Sequence, residues 1–224
     1  WMGEILFRTK LSENLFKGLS PWLSKLPGGL IHVNVIGCAL FAAISGSSAA
    51  TVATVGKMSI PELRKRKYPE KLLLGSLAGS GTLGLLIPPS IILIIYGVTI
   101  EDSIAKLFMA GILPGIMIAI LFMTYVVIWS ILNRKLMPHN IENFSFSKKI
   151  KRSKQLLPVV LLIVSVIGSI YTGIATATEA ASLGVVGALI LSWFQQTLNK
   201  ETFKLSLLGA TKTSCMIAFI LAGS

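Results

Sequence analysis

Two groups of small and hydroxyl-bearing residues interrupt apolar stretches of this 224-residue chain. The first group is Ser45-Gly46-Ser47-Ser48-Ala49-Ala50-Thr51, and the second is Gly79-Ser80-Gly81-Thr82-Leu83-Gly84, followed by Pro88-Pro89-Ser90. Hydroxyl and carbonyl groups supply neutral oxygen ligands, which suit a hard cation such as sodium. Glycine lets carbonyls converge without a side-chain clash, and Pro89 removes a helical hydrogen-bond donor. The two groups therefore have the chemistry of an ion site built from broken helices.

Broken helices have a specific meaning inside a membrane. Hydrocarbon offers no water to unpaired backbone groups, so such breaks persist only where protein or a wet cavity supplies partners. Two facing breaks present opposed helix ends: C-terminal ends favour a cation and N-terminal ends favour an anionic solute. The paired interruptions thus predict an ion or solute site in a transporter.

The composition indicates a membrane protein. Hydrophobic residues make up 53% of the chain and charged residues 13%, against roughly 25% charged residues in soluble domains. Residues 107–132 contain no charge, and the stretches 155–178 and 180–198 are similarly apolar. Each is long enough to cross a hydrocarbon core about 30 Å thick. Cys38 and Cys215 both fall in apolar segments, so a disulfide framework is not expected.

The net charge of +12 is distributed in a way that argues against nucleic-acid binding. Four clusters, 8–25, 57–71, 134–154 and 200–212, hold 20 of the 21 lysine and arginine residues. Short basic connections between membrane segments stay in the cytoplasm, so all four clusters are predicted to lie on that side.

The charge rule decides the shape of the first apolar region. Lys25 and Lys57 bracket 31 residues, whereas two full crossings need about 40. A single crossing would place two basic clusters on opposite faces of the membrane. A re-entrant hairpin satisfies both constraints, with an inbound arm at 28–44, a tip at Ser45-Gly46 and an outbound arm at 47–58.

Alternation of the remaining segments completes an all-α integral membrane topology. The predicted segments are a helix end with an interfacial amphipathic helix (1–26), a re-entrant hairpin (27–58), a basic cytoplasmic connection (59–71), a broken transmembrane helix (72–98), an outer turn with a transmembrane helix (99–132), a basic cytoplasmic loop (133–154) and further transmembrane helices (155–224). Neither terminus has the character of a natural chain end, so we expect a piece of a longer protein.

Several ordered motifs resemble the large membrane subunit of the TRAP (tripartite ATP-independent periplasmic) transporters. The matching runs are Pro27-Gly28-Gly29-Leu30, Phe41 to Ser48, Gly81 to Ser90, Tyr96-Gly97 and Ala110 to Gly115. The segment 173–181 is similar to the family's Thr-Pro-Thr-Glu-Ala sequence, although Ala177 stands where the family has proline. The likeness covers nearly the whole chain.

The resemblance implies an elevator-type ion-transporter-like fold, of which this chain would be the first inverted repeat plus connecting helices. It implies sodium-driven uptake of a carboxylate, such as a C4-dicarboxylate or a sialic acid, across the bacterial inner membrane. The implied partners are a small membrane subunit, a periplasmic solute-binding protein and membrane lipid, with no nucleic acid. Sodium is the coupling ion, and no other cofactor and no catalytic residue is expected.

The same resemblance assigns residue roles. The sodium- and solute-binding residues would be Ser45, Gly46, Ser47, Ser48, Thr51, Gly81, Thr82, Gly84, Pro88, Pro89 and Ser90. Within this set, the sodium ligands would be Ser45, Ser47, Ser48, Gly81 and Thr82.

Other interpretations remain open at this point. A related sodium–carboxylate carrier would work without a binding protein. An intramembrane serine hydrolase would need a base near Ser47, but His32 lies 15 residues earlier, about 22 Å along a helix, and His139 is predicted to be cytoplasmic. Glu179 allows a proton relay, although its spacing from Thr176 is that of a helix capping box.

Overall fold

The computed structural model describes residues 1–9, 11–138, 146–154 and 156–223, and no strand occurs in these ranges. The all-α prediction is therefore confirmed for them. Their α-helices are α1 (Met2–Phe7), α2 (Leu11–Leu23), α3 (His32–Ser45), α4 (Ser48–Lys65), α5 (Glu70–Gly81), α6 (Ile91–Thr99), α7 (Ile104–Leu132), α8 (Phe146–Ser153), α9 (Leu157–Tyr171), α10 (Ala177–Phe194) and α11 (Lys200–Gly223). His139 and part of the predicted loop 133–154 lie outside the described residues.

Helices α3 and α4 form a hairpin that turns at the predicted tip. Gly46 follows the end of α3 with φ of 60° and ψ of 10°, a left-handed conformation that glycine adopts without steric cost. Its N–H donates to the carbonyl of Ala42 at 2.9 Å, which caps α3. Ser47 is extended and caps α4, because its Oγ accepts a hydrogen bond from the N–H of Ala50 at 3.4 Å.

Helix α4 continues seven residues beyond the predicted end of the outbound arm, Met58. The cluster of basic residues predicted a cytoplasmic connection here, and the first part of that connection is helical. Arg64 and Lys65 occupy the last turn, where their positive charges interact favourably with the negative end of the helix dipole. Arg66 also pairs with Glu62 at 2.9 Å. The connection 59–71 therefore includes about two turns of α4.

The second interruption separates α5 from α6. Helix α5 ends at Gly81, a 3₁₀ turn covers Thr82–Leu85, and regular helix begins again at Ile91. Pro88 and Pro89 lie in the non-helical part, where neither can donate a backbone hydrogen bond. The break therefore falls within the range 79–90 that the sequence predicts.

Helix α3 lies at the centre of the packed region, against α1, α2, α4, α5 and α7. Its residues Val35 and Phe41 are completely buried. Asn34 joins α3 to α5, because its amide nitrogen donates to the Leu73 carbonyl at 3.3 Å and to Ser76 Oγ at 3.0 Å. The hairpin and the broken helix consequently share one packed unit.

Helices α7 and α10 are long and apolar enough to cross a membrane. Helix α7 has 29 residues and a mean hydropathy of 2.4, yet only 17% of its most apolar window is buried. Leu113 and Tyr125 on this helix are 76% and 60% exposed. A soluble protein would bury such a helix, so the exposed apolar surface is suited to lipid.

Candidate functional site

The tip of the α3–α4 hairpin touches the second interruption directly. The N–H of Ile91, at the start of α6, donates to the carbonyl of Gly46 at 3.3 Å. A Cβ atom on Gly46 would lie 2.7 Å from the carbonyl oxygen of Pro89. Position 46 therefore requires glycine both for its left-handed conformation and for this close backbone approach.

The first turn of α4 also packs against the interruption. A Cβ on Gly84 would lie 2.9 Å from the backbone nitrogen of Ser48 and 3.0 Å from the carbonyl carbon of Ser47. A Cβ on Gly81 would collide with the side chain of Val52. The two glycines of the break thus allow α4 and the 3₁₀ turn to meet backbone to backbone, which brings both interruptions into one site.

Helix α7 supports the break from another direction. A Cβ on Gly111 would lie 2.7 Å from the Leu86 carbonyl oxygen, and a Cβ on Gly115 would lie 2.8 Å from Ile87 Cγ1. These glycines, one helical turn apart, let α7 approach the non-helical backbone closely. Their positioning role was missed in the sequence, where the spacing Gly111-x-x-x-Gly115 was the available signal.

The hydroxyl groups at the tip differ in their hydrogen bonding. Ser45 Oγ lies 2.9 Å from Thr51 Oγ1 and also accepts from the N–H of Ser47 at 3.3 Å. Ser47 Oγ caps α4, as described above. Ser48 Oγ is buried and has no hydrogen-bond partner among the described residues. The Ser48 hydroxyl is therefore available to coordinate a cation through its oxygen or to donate a hydrogen bond to a solute.

Two of the predicted site hydroxyls are engaged within the break itself. Thr82 is exposed, and its Oγ1 donates to the Gly79 carbonyl at 2.7 Å. Ser90 is buried, and its Oγ donates to the Leu85 carbonyl at 2.7 Å. Both hydroxyls thus donate to carbonyls of the interrupted helix, and the Gly79 carbonyl also accepts from the backbone N–H of Thr82. Pro88 and Pro89 add no donor, and Pro88 is buried beside them.

Four helix ends approach one another at this point. The C-terminal ends of α3 and α5 carry partial negative charge, and the N-terminal ends of α4 and α6 carry partial positive charge. No cluster of three or more histidine, cysteine, aspartate or glutamate side chains occurs among the residues that were searched, which are those with described structure. A cation here would depend on neutral hydroxyl and carbonyl oxygens together with the negative helix ends.

The residues that suggested other chemistry have structural roles. Glu179 forms the capping box of α10: its Oε2 accepts from the N–H of Thr176 at 2.8 Å, and Thr176 Oγ1 accepts from the N–H of Glu179 at 3.3 Å. His32 is buried at the start of α3, with Nε2 2.7 Å from the Pro27 carbonyl oxygen. It lies at the end of α3 opposite the serines, so His32 is not within hydrogen-bond reach of Ser47 as a base.

Glycine packing accounts for part of the predicted pattern on α5. A Cβ on Gly79 would lie 3.1 Å from the Phe122 ring of α7, so this glycine serves close helix packing. A Cβ on Gly75 would meet nothing within 4 Å. Gly75 therefore has no packing requirement of its own within the described structure.

The whole chain is similar in sequence to one family of known proteins. The family described as "Tripartite ATP-independent periplasmic transporter, DctM component" matches residues 1–224. The chain is 36% identical over 223 residues to the C4-dicarboxylate TRAP transporter large permease protein DctM of Pseudomonas aeruginosa, covering 99% of this chain and 52% of that protein.

Relatives named for other solutes are similarly close. The isethionate TRAP transporter permease protein DctMQ of Oleidesulfovibrio alaskensis is 34% identical over 217 residues, 95% of this chain and 33% of that protein. The ectoine/5-hydroxyectoine TRAP transporter large permease protein UehC of Ruegeria pomeroyi is 35% identical over 189 residues, 84% of this chain and 44% of that protein.

The chain spans about half the length, or less, of these curated relatives. The match nevertheless extends through the hairpin, the broken helix and the helices that follow. These three relatives are named as transporter permeases, which are membrane proteins, and not as enzymes. This chain belongs to the DctM family, the large membrane component of the tripartite ATP-independent periplasmic transporters.

Proposed function

We propose that the protein containing this chain takes up an organic anion, driven by a sodium gradient, as the large permease of a TRAP transporter. The observation that carries this proposal is the contact between the hairpin tip and the break between α5 and α6. Beside the converging helix ends lies the Ser48 hydroxyl, which has no hydrogen-bond partner among the residues that the structure describes. The chain alone is expected to supply one part of the transport site, because it spans about half of its relatives.

The neutral oxygen atoms at the tip are of the kind that coordinate sodium. Ser45 and Thr51 provide two hydroxyl oxygens 2.9 Å apart, and Ser48 provides a third that is buried and has no partner within the described ranges. The carbonyls at the ends of α3 and α5 supply partial negative charge. Ser45, Ser47, Ser48, Gly81 and Thr82 remain the proposed sodium ligands. Ser47 and Thr82 already have local partners: Ser47 Oγ accepts from the N–H of Ala50, the Ser47 carbonyl accepts from the N–H of Thr51 at 3.0 Å, and Thr82 Oγ1 donates to the Gly79 carbonyl.

An anionic solute fits the opposite helix ends. The N-terminal turns of α4 and α6 begin at Ser48 and Ile91, close to the same contact. Backbone N–H groups and the positive helix dipole favour a carboxylate or a similar anion there. We propose a C4-dicarboxylate, a sialic acid or a related organic acid as the solute. The names of the relatives, which include isethionate and ectoine, set the range of solutes to be tested.

The proposed setting is the bacterial inner membrane, with the chain crossing it several times. The basic clusters face the cytoplasm, α3 and α4 form a re-entrant hairpin, and α5 and α6 form the two halves of a broken crossing. In this arrangement the hairpin moves with the solute in an elevator-type cycle. Entry of each sodium ion down a membrane potential of 100 mV contributes about 2.3 kcal/mol.

The proposed assembly includes a small membrane subunit and a periplasmic solute-binding protein. The family name implies a tripartite system, and this chain belongs to the large component. A related carrier that works without a binding protein is the alternative. It would have the same tip and break, so only a transport assay separates the two.

Uptake into proteoliposomes tests this function. The full-length protein with its small subunit is reconstituted, and uptake of labelled C4-dicarboxylates, sialic acid, isethionate and ectoine is measured with and without the binding protein. We expect uptake of one anion that requires both an inward sodium gradient and the binding protein. Equal uptake when potassium replaces sodium would contradict sodium coupling, and equal uptake without the binding protein would favour the alternative carrier.

A further inference from the structure

A basic cavity of about 380 Å³ lies at the far end of α3 from the hairpin tip. It is bounded by the segment that leads into α3, the connection between α4 and α5, and the C-terminal end of α7. Its volume lies within the range of roughly 300–1,000 Å³ that is typical of small-molecule sites. None of the residues assigned to the transport site lines it.

The charged lining residues of the cavity described by the structure are all basic: Lys25, Arg66 and Arg134. They come from three different parts of the chain, so the charge results from the fold and not from one sequence cluster. Arg66 is paired with Glu62 at 2.9 Å. Lys25 and Arg134 therefore supply most of the positive charge of the cavity wall.

Two buried hydroxyl groups add hydrogen-bonding capacity to the cavity wall. Ser24 is 8% exposed and Ser130 is 3% exposed. The Oγ atom of each has no hydrogen-bond partner within the described part of the chain. Buried hydroxyls without partners are uncommon, because the loss of hydrogen bonds to water is costly. Cations and hydroxyl donors are the groups that recognise a phosphate oxygen, and here the cations line the cavity while the two hydroxyls are buried beneath its surface.

Apolar surface adjoins the basic groups. Leu26 and Ile131 line the same cavity and are 39% and 45% exposed. The next residue, Leu132, is 77% exposed and ends the long apolar helix α7. A molecule that carries both a phosphate and a hydrocarbon chain would complement this surface: the phosphate would contact the cations, and the chain would lie along the apolar side chains. Phospholipid has this chemistry, and basic pockets at the ends of membrane helices bind anionic headgroups.

We propose that this cavity, which we name the Lys25–Arg134 cavity, binds the phosphate headgroup of an anionic membrane phospholipid. The lipid would join the segment before α3 to the end of α7, and so would hold the base of the hairpin. This inference is independent of the proposed solute and coupling ion, because it requires only that α7 lie in a membrane.

Native mass spectrometry of the full-length transporter tests the lipid site. Phosphatidylglycerol is added to delipidated protein, and diacylglycerol, which has no phosphate, serves as the ligand control. We expect a defined phosphatidylglycerol adduct and no comparable diacylglycerol adduct. Arg134→Gln should weaken the phosphatidylglycerol adduct about fivefold, the effect of removing one cation near an anionic lipid.

Lys135→Gln is the matched control, because Lys135 is exposed in the same 3₁₀ turn but does not line the cavity. It should leave the adduct nearly unchanged, and Arg134→Lys should retain most of the binding. Ser130→Ala should weaken the adduct further when combined with Arg134→Gln. Equal losses in Arg134→Gln and Lys135→Gln, or no loss in either, would overturn the proposal.

Inorganic phosphate separates the lipid from a free anion that shares its chemistry. We expect excess phosphate to displace little phosphatidylglycerol, because the acyl chains also contribute to binding. Complete displacement, together with loss of the difference between wild type and Arg134→Gln, would show a free-anion site and would overturn the assignment to lipid.

Discussion

Individual hydroxyl groups in this chain divide into those that stabilise the backbone and those with remaining capacity. Thr82 and Ser90 donate to carbonyls of the interrupted helix, and Ser47 caps α4. Ser48 keeps a buried Oγ without a partner in the described structure. The chemical difference between these residues arises from neighbouring carbonyls and helix ends, and it makes Ser48 the most informative position for substitution.

Tyr68 provides a test of stability at the residue scale, away from the transport site. Its hydroxyl oxygen accepts from the N–H of Leu30 at 3.1 Å, and burial raises the pKa of its phenol above the ordinary value. Tyr68→Phe leaves that N–H without its acceptor, so we expect the free energy of unfolding to fall by about 1–3 kcal/mol. The change is measured by denaturation of the purified protein in detergent.

Tyr125→Phe is the control for this substitution, because Tyr125 is 60% exposed on α7. Its effect on the free energy of unfolding should be within about 0.5 kcal/mol. Equal destabilisation by the two substitutions would contradict the structural role assigned to Tyr68.

The residue types of the site could be recognised in the sequence, but their hydrogen-bond partners could not. The serine and glycine pattern predicted the positions of both interruptions. It did not distinguish Ser48 from Thr82, since the distinction depends on which carbonyls lie within reach of each hydroxyl. It assigned Gly81 and Gly84 to the binding site, but it did not show that their lack of a Cβ permits contact with α4.

At the scale of helices, the hairpin and the broken helix pack against each other through close backbone contacts. The α3–α4 turn places Gly46 against Pro89 and Ile91, and the start of α4 lies against Gly84. Helix α7 approaches the same break through Gly111. A change in any of these close contacts is therefore expected to alter the relation between the two interruptions.

Gly84→Ala tests this contact between elements. The added methyl would meet the backbone nitrogen of Ser48 at 2.9 Å, and backbone cannot rotate away as a side chain can. We expect a cost of about 1–3 kcal/mol, which is typical of overpacking, and a large loss of uptake. Gly75→Ala is the control, because a Cβ there meets nothing within 4 Å. Normal uptake by Gly84→Ala would show that the close approach is unnecessary for transport.

Cysteine labelling tests the membrane topology of the hairpin. Leu26→Cys and Lys57→Cys flank the hairpin in a background without the native Cys38 and Cys215, and a membrane-impermeant thiol reagent is applied to one side at a time. A re-entrant hairpin places both cysteines on the cytoplasmic side, so both should react only from that side. Labelling of the two positions from opposite sides would show a single crossing instead.

Helix ends were harder to predict than helices. The sequence predicted the turn at Ser45-Gly46, because glycine after an apolar run favours a left-handed helix end. It ended the outbound membrane arm at Met58, and helix α4 itself continues to Lys65. Polarity indicates where a helix leaves an apolar environment, and it does not by itself indicate where the helix stops.

At the scale of the whole molecule, the described residues form three buried apolar clusters, two of which include residues of α3, and much apolar surface stays exposed. Helices α7 and α10 bury only 17% and 22% of their most apolar windows, which leaves the apolar surface expected of a membrane protein. The chain also spans about half of its DctM relative. The hairpin tip and the break consequently form a local site whose remaining walls belong to the rest of the transporter.

The sodium dependence of uptake by the full-length transporter tests directly whether sodium binds at the hairpin tip through Ser48. The measurement compares the sodium concentration at half-maximal uptake for wild type, Ser48→Ala and Ser182→Ala, whose hydroxyl is exposed on α10. The account predicts an increase of about tenfold or more for Ser48→Ala, because a contact between a charged group and a neutral oxygen contributes about 1.5–3 kcal/mol. Ser182→Ala should match wild type. An unchanged half-saturating concentration in a well-expressed Ser48→Ala transporter would contradict a sodium site at the hairpin tip.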